Sequence, residues 1–192
     1  METGSAPSGS AQQEGVVATR DGYEISRDRA RLDRAVIHRF LSEESYWSPG
    51  ISRALVDRVI DGSLPFGLYR EPAAAGAATP GPTAPGQTGS EQVGFARVVT
   101  DGVYLGYLAD VFVLPPHRGR GLARWMVETI LAAPDLGDVR WWLLGTADAH
   151  GLYARLGFTG LRRPGRLMEI HRHPGGPRGQ RSAQAGAQRR TV

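Results

Sequence analysis

Apolar positions along this chain change their spacing from segment to segment, and each spacing predicts an element. Tyr23-Glu24-Ile25-Ser26 alternates and predicts a first strand. From Arg31 to Ser42, Leu32, Val36 and Phe40 fall on one helical face. A second helix starts after Ser52, a candidate N-cap. It carries Leu55, Val56, Val59 and Ile60 at helical spacing and is closed by Gly62. Phe66 to Arg70 and Gln92 to Thr100 read as strands, and Asp101-Gly102 signals a type I′ hairpin into a partner strand, Tyr104 to Leu114. Leu122, Trp125, Met126, Thr129, Ile130 and Ala133 form a helical stripe that Pro134 stops. Arg140 to Leu144 predicts a strand, Ala147 to Leu156 a helix, and Leu167 to His171 a last strand.

Strands joined first by hairpins and later by a helical crossover predict an α/β fold of the α+β type, a mixed sheet flanked by helices. Three segments break the patterning. Residues 1–15 and 174–192 are rich in small and polar types and predict disorder, while 71–90, almost all Ala, Gly, Pro and Thr, predicts a long surface connection. A single domain over 16–173 is the expected organisation.

Composition then removes several chemistries. The chain has 192 residues and no cysteine, so disulfides, thiolate metal sites and a cysteine-bound acyl intermediate are excluded. It has no run of 18 apolar residues, and Met1 to Ser5 lacks the parts of a signal peptide. A cytoplasmic location is the expectation. The net charge of +4 belongs to the C-terminal tail, where five arginines follow Ile170 without an acid. The remainder holds 18 basic against 19 acidic residues. A solubilising tail is therefore favoured over nucleic-acid binding. His171-Arg172-His173 lacks partner ligands, and no metal is assigned.

The glycine-bearing stretch His117-Arg118-Gly119-Arg120-Gly121-Leu122-Ala123 follows a strand and opens a helix. A helix start offers backbone N–H groups without intrahelical partners and the positive end of the dipole, and glycines let a phosphate come close. A Walker loop would end in Gly-Lys-Ser/Thr, but the chain has no lysine. A dinucleotide fingerprint would need glycine where Arg124 stands.

Two motifs carry a resemblance. Asp110-Val111-Phe112-Val113-Leu114-Pro115-Pro116-His117-Arg118-Gly119-Arg120-Gly121-Leu122-Ala123 resembles the acyl-CoA pyrophosphate loop of the GCN5-related N-acetyltransferases (GNAT). Ala149-His150-Gly151-Leu152-Tyr153-Ala154-Arg155-Leu156-Gly157-Phe158 is similar to that family's Ala-x-x-Leu-Tyr-x-x-x-Gly-Phe.

The resemblance implies a mostly antiparallel sheet splayed between two parallel strands, with acetyl-CoA as co-substrate. The pantetheine arm would lie along Val111, Phe112 and Val113, and the diphosphate on the amides of Arg118, Gly119, Arg120, Gly121, Leu122 and Ala123. Thr146 stands where many members have asparagine. Tyr153 matches the tyrosine that protonates the departing sulfur. Asp110 is the candidate base, although strand parity puts it on the face of Phe112 and Leu114, away from the cleft. Tyr46 and Trp47 lie where the family builds its acceptor wall.

The implied activity is acetyl transfer to a primary amine of a small molecule or protein, by direct attack in a ternary complex. The enzyme would act as a monomer or homodimer, without metal. The alternative is a non-catalytic acyl-CoA-binding module, with its acceptor pocket closed by Tyr46 and Trp47.

Overall fold

The computed structural model describes residues 15–72 and 89–170. The chain divides into two compact units, Met1–Phe158 and Thr159–Val192. In the first, six strands follow one another in chain order across a single sheet. They are β1 (Val16–Arg20), β2 (Tyr23–Ser26), β3 (Leu64–Arg70), β4 (Glu91–Thr100), β5 (Leu105–Val113) and β6 (Trp141–Leu143). All neighbours are antiparallel except β5 and β6, which run parallel. The helices are α1 (Arg34–Arg39), α2 (Arg53–Asp61), α3 (Leu122–Leu131) and α4 (His150–Ala154). Among the described residues no helix is long and apolar enough to cross a membrane.

The sheet separates two apolar clusters. One face packs on α3 through Leu122, Met126, Val127 and Ile130, which meet Phe66, Leu68, Val93 and Val98. The other packs on α1 and α2, where Ile37, Phe40, Val56 and Ile60 meet Phe95 and Phe112. On α2 the apolar stripe is narrower than its sequence suggests: Val56 and Ile60 are fully buried, whereas Leu55 is 44% exposed. Trp125 and Thr129 on α3 are half-buried.

Several boundaries move for local reasons. The first helix begins at Arg34 because the Asp33 carboxylate caps it, accepting from Ala35 N and Val36 N. Leu32 therefore precedes the helix, after a 3₁₀ turn over Arg29–Arg31. The helix closes through a π turn, Phe40–Glu44. Strand β1 carries no clean alternation and escapes a reading by period. It pairs with β2 through Asp21-Gly22, whose φ values of 51° and 74° are those of a type I′ turn. Asp101-Gly102, expected to form that turn, makes a wider loop. There Asp101 Oδ1 accepts from the amides of Val103, Tyr104 and Leu105, and pairing resumes at Thr100 and Gly106.

The expected terminal strand Leu167–His171 does not form over the described residues of the second unit. They hold a 3₁₀ turn, Pro164–Arg166, followed by chain without regular structure in which Met168 is 98% and Ile170 84% exposed. His171, the tail from 174 and most of the 71–90 connection lie outside the described residues.

Candidate active site

Two departures from regularity in β5 create the site. The first is a parting of strands. Only Leu105, Gly106 and Tyr107 pair with β6, so among the described residues Leu108 to Val113 have no strand on that side. The contact itself is tight, since a Cβ on Gly106 would lie 2.7 Å from the Trp142 ring. The second is a β-bulge. Arg97 pairs with Ala109 but Phe95 pairs with Phe112, which leaves one extra residue in β5, and Asp110 takes the left-handed region at φ 52°. The alternation of β5 breaks there: Leu108 and Val113, an odd number of residues apart, share one core cluster, while Phe112 belongs to the other.

Asp110 therefore lines the cleft, contrary to the expectation from uninterrupted parity. A cavity of about 310 Å³ lies at the parting, lined by Asp110 and Val111 from one motif, by Ala149 and Tyr153 from the other, and by Thr146 just ahead of it. The Asp110 side chain is only 8% exposed. Its Oδ2 accepts from Arg97 Nε at 2.5 Å and its Oδ1 from Trp47 Nε1 at 3.0 Å.

Tyr46 and Trp47 also line this cavity. Their loop is pinned from both ends: Ser45 Oγ donates to Leu41 O at 2.6 Å, and Gly50, at φ 71°, donates its amide to Ser42 O at 2.9 Å. Phe40 stacks on Phe112 at 3.9 Å and holds Trp47 at 6.3 Å, with Tyr46 edge-on to Trp47 at 5.0 Å. The Tyr46 hydroxyl accepts from Ala147 N at 2.7 Å and so ties this loop to the second motif. Tyr46 is 52% and Trp47 40% exposed, so the two form a wall without closing the cavity.

Tyr153 sits on α4 with its ring edge-on to Phe158 at 5.8 Å. Gly157, at φ 90°, permits the turn in which Phe158 N donates to Tyr153 O at 3.1 Å. Burial, followed by the charges of Tyr46 and Asp148, pushes the Tyr153 phenol up to about 12. The hydroxyl makes no hydrogen bond among the described residues. Thr146 is already occupied: its Oγ accepts from Ala149 N at 3.0 Å, just ahead of α4, which leaves its O–H to donate elsewhere.

The glycine loop follows a 3₁₀ turn over Pro115–His117. Gly119 and Gly121 hold φ of 76° and 73°, and Gly121 is the N-cap of α3 without a side-chain cap. A Cβ at Gly119 would meet nothing within 4 Å, and one at Gly121 would meet Arg20 Nη2 at 3.4 Å. The amides from Gly119 to Arg124 donate to no acceptor among the described residues, so the loop fits an anion approaching its backbone.

Arg118 also has a structural task, since its Nε donates to Val113 O at 2.8 Å and fastens the loop to the strand end. Sequence reasoning missed Arg20, whose Nη2 donates to Arg120 O at 3.2 Å, and Arg97. Arg20 lies in the strand without a clear period. No spacing links Arg97 to Asp110, because the bulge sets their pairing.

The acetyltransferase (GNAT) domain family matches residues 87–160. A candidate acetyltransferase of Gibberella zeae is 41% identical over 151 residues, covering 75% of this chain and 83% of that protein. The crystal structure of a candidate GNAT acetyltransferase from Xanthomonas campestris has a TM-score of 0.66 and 42% identity, covering 80% of this chain and 95% of that one. An acetyltransferase candidate from Clostridium acetobutylicum, solved with acetyl-CoA, shares the fold at a TM-score of 0.53 and 15% identity, with 78% and 94% of the two chains covered.

Proposed function

Because the chain belongs to the GNAT acetyltransferase family, we propose that it transfers an acetyl group from acetyl-CoA to a primary amine of a small molecule or protein. The amine attacks directly in a ternary complex. One observation carries the reading: a single cavity at the parting of β5 and β6 gathers Asp110, Tyr46 and the unpartnered phenol of Tyr153.

Acetyl-CoA supplies a thioester carbon open to nucleophiles and a thiolate leaving group. The amides of Gly119 to Ala123 bind its diphosphate at the start of α3, where the helix dipole adds positive potential. The open side of β5 beyond Tyr107 gives the pantetheine amides backbone to pair with. Thr146 keeps one donor for the same arm.

The cavity holds the amine beside the thioester, and orientation supplies much of the rate. As the new N–C bond forms and the C–S bond breaks, the Tyr153 phenol gives its proton to the departing sulfur. Its raised pKa keeps that proton in place throughout the physiological range. The amine loses its proton to water at the open mouth. Asp110, fixed by Trp47 and Arg97, attracts the incoming ammonium and accepts through its remaining lone pairs.

The non-catalytic alternative called for an acceptor pocket closed by Tyr46 and Trp47, and the open cavity favours the enzyme. The test is release of CoA by the purified protein with acetyl-CoA and a panel of amines. Tight acetyl-CoA binding without release on any amine would favour the module.

A further inference from the structure

The transfer reaction uses no guanidinium, yet the cavity wall contains one. Arg97, on β4, has a side chain that is only 15% exposed, and its Nε is held by Asp110. Its two Nη groups donate to no protein acceptor among the described residues. Two other arginines of low exposure are used more fully. Arg31, at 14%, donates from one Nη to Glu24 and from the other to Ser90, and Arg34, at 27%, reaches both Asp57 and Asp61. These donors are open to the cavity, where an acceptor carried by a ligand can meet them. Here the space beside them is the acceptor cavity.

We propose that Arg97 recognises a carboxylate on the acceptor, so that the preferred substrates are small amines of amino-acid type. This rests on the acetyl-transfer reading of the same cavity. A guanidinium held at Nε still presents its Nη edge, whose planar donors match a carboxylate. Asp110 and Asp148 also line the cavity, and their charge disfavours a dianionic phosphate more than a monoanion. One cation and two acids in one cavity suit a zwitterion. Tyr46, Trp47 and Tyr107 add flat apolar surface for its body.

The experiment uses leucine, phenylalanine and β-alanine, each beside its amide and its decarboxylated amine, with O-phosphoethanolamine added. CoA release gives kcat/KM for each. Calorimetry on the full chain saturated with CoA gives binding independently of turnover. Acids should exceed their carboxylate-free partners by about tenfold or more, the scale of one charge-assisted hydrogen bond.

Arg97→Lys should cut that preference to about threefold or less, since an ammonium lacks the fork. Its acetyl-CoA affinity should not change. Should that variant fail to fold, the double variant Arg97→Gln/Asp110→Asn removes both charges together and should abolish the preference. Equal handling of acids and amides, absence of binding by any acid, or a preference that survives loss of Arg97 would overturn the inference. A clear preference for O-phosphoethanolamine would overturn the choice of carboxylate. Carboxylate-selective binding with no CoA release from any amine would support the recognition and sink the acetyl-transfer reading instead.

Discussion

The two ends of the cleft are built from different materials. At the glycine loop the proposed binding groups are backbone amides, set by two left-handed glycines and the start of α3, within one short stretch of chain. At the acceptor end they are side chains brought together from afar: Trp47 meets Asp110 across 63 residues, and Tyr46 meets Ala147 across 101. The first kind of site depends on conformation and tolerates little change of residue type at its glycines. The second depends on a network, in which each member holds the next. Substitutions should therefore fail in different ways at the two ends.

The largest effect is expected at the backbone-built end. Gly121→Val puts a branched side chain at the proposed diphosphate site and forces it to positive φ, at a cost of roughly 1–2 kcal/mol. Acetyl-CoA binding should drop below detection by calorimetry while circular dichroism stays that of the wild type. Unchanged affinity would show that the diphosphate lies elsewhere.

Next in size is Asp110→Asn, at the networked end. It leaves the Arg97 charge without its partner at low exposure, and stability should fall by about 3 kcal/mol in denaturant unfolding. Adding Arg97→Gln should recover part of that loss, because the two residues are coupled. Additive losses would mean that the pair is independent and the network description wrong.

Tyr153→Phe tests the junction of the two ends. The phenol has no hydrogen-bond partner among the described residues, so its removal should leave Tm and acetyl-CoA affinity alone, while kcat falls at least about tenfold. With the phenol pushed up to about 12, Tyr153 stays protonated below that pH, so it should add no descending limb to kcat across neutral and mildly alkaline pH. A kcat within about twofold of wild type, where chemistry limits turnover, would make Tyr153 a packing residue. The smallest effect is expected for Tyr46→Phe. Ala147 N loses its acceptor, at about 1 kcal/mol of stability, and KM for the amine should rise modestly without a change in acetyl-CoA affinity. A larger change in acetyl-CoA affinity than in amine KM would place Tyr46 at the other end of the cleft.

The same contrast explains what could be read from the chain in advance. The glycine loop, α3 and the Tyr153 motif are local patterns, and sequence spacing carries them directly. A mixed sheet follows from a hairpin and a helical crossover, but its exact membership does not: the strand expected from Leu167 does not form over the described residues. Strand β1 was invisible because its residue types, Val16-Val17-Ala18-Thr19-Arg20, do not alternate, and the type I′ turn was assigned to the wrong Asp-Gly pair. At Asp101 the carboxylate captures three amides and widens the loop, whereas Asp21 adopts positive φ itself. The direction of Asp110 and the partnership with Arg97 could not be read, because both follow from one extra residue in a strand pairing. Periodicity assumes that such residues are absent.

That extra residue has a consequence beyond aiming a carboxylate. A strand with one open side invites pairing with other chains, the route by which exposed sheet edges seed aggregates. Beyond Tyr107, β5 has such a side. The kink at Asp110 allows only a few residues of continuous register before the ladder loses its phase, and Pro115 and Pro116, with no amide hydrogens, follow the strand end. A ligand with a few amides on a flexible arm can use so short a stretch, whereas a foreign strand needs a longer one. The bulge thus acts as a length filter on an edge that the proposed function requires to stay open.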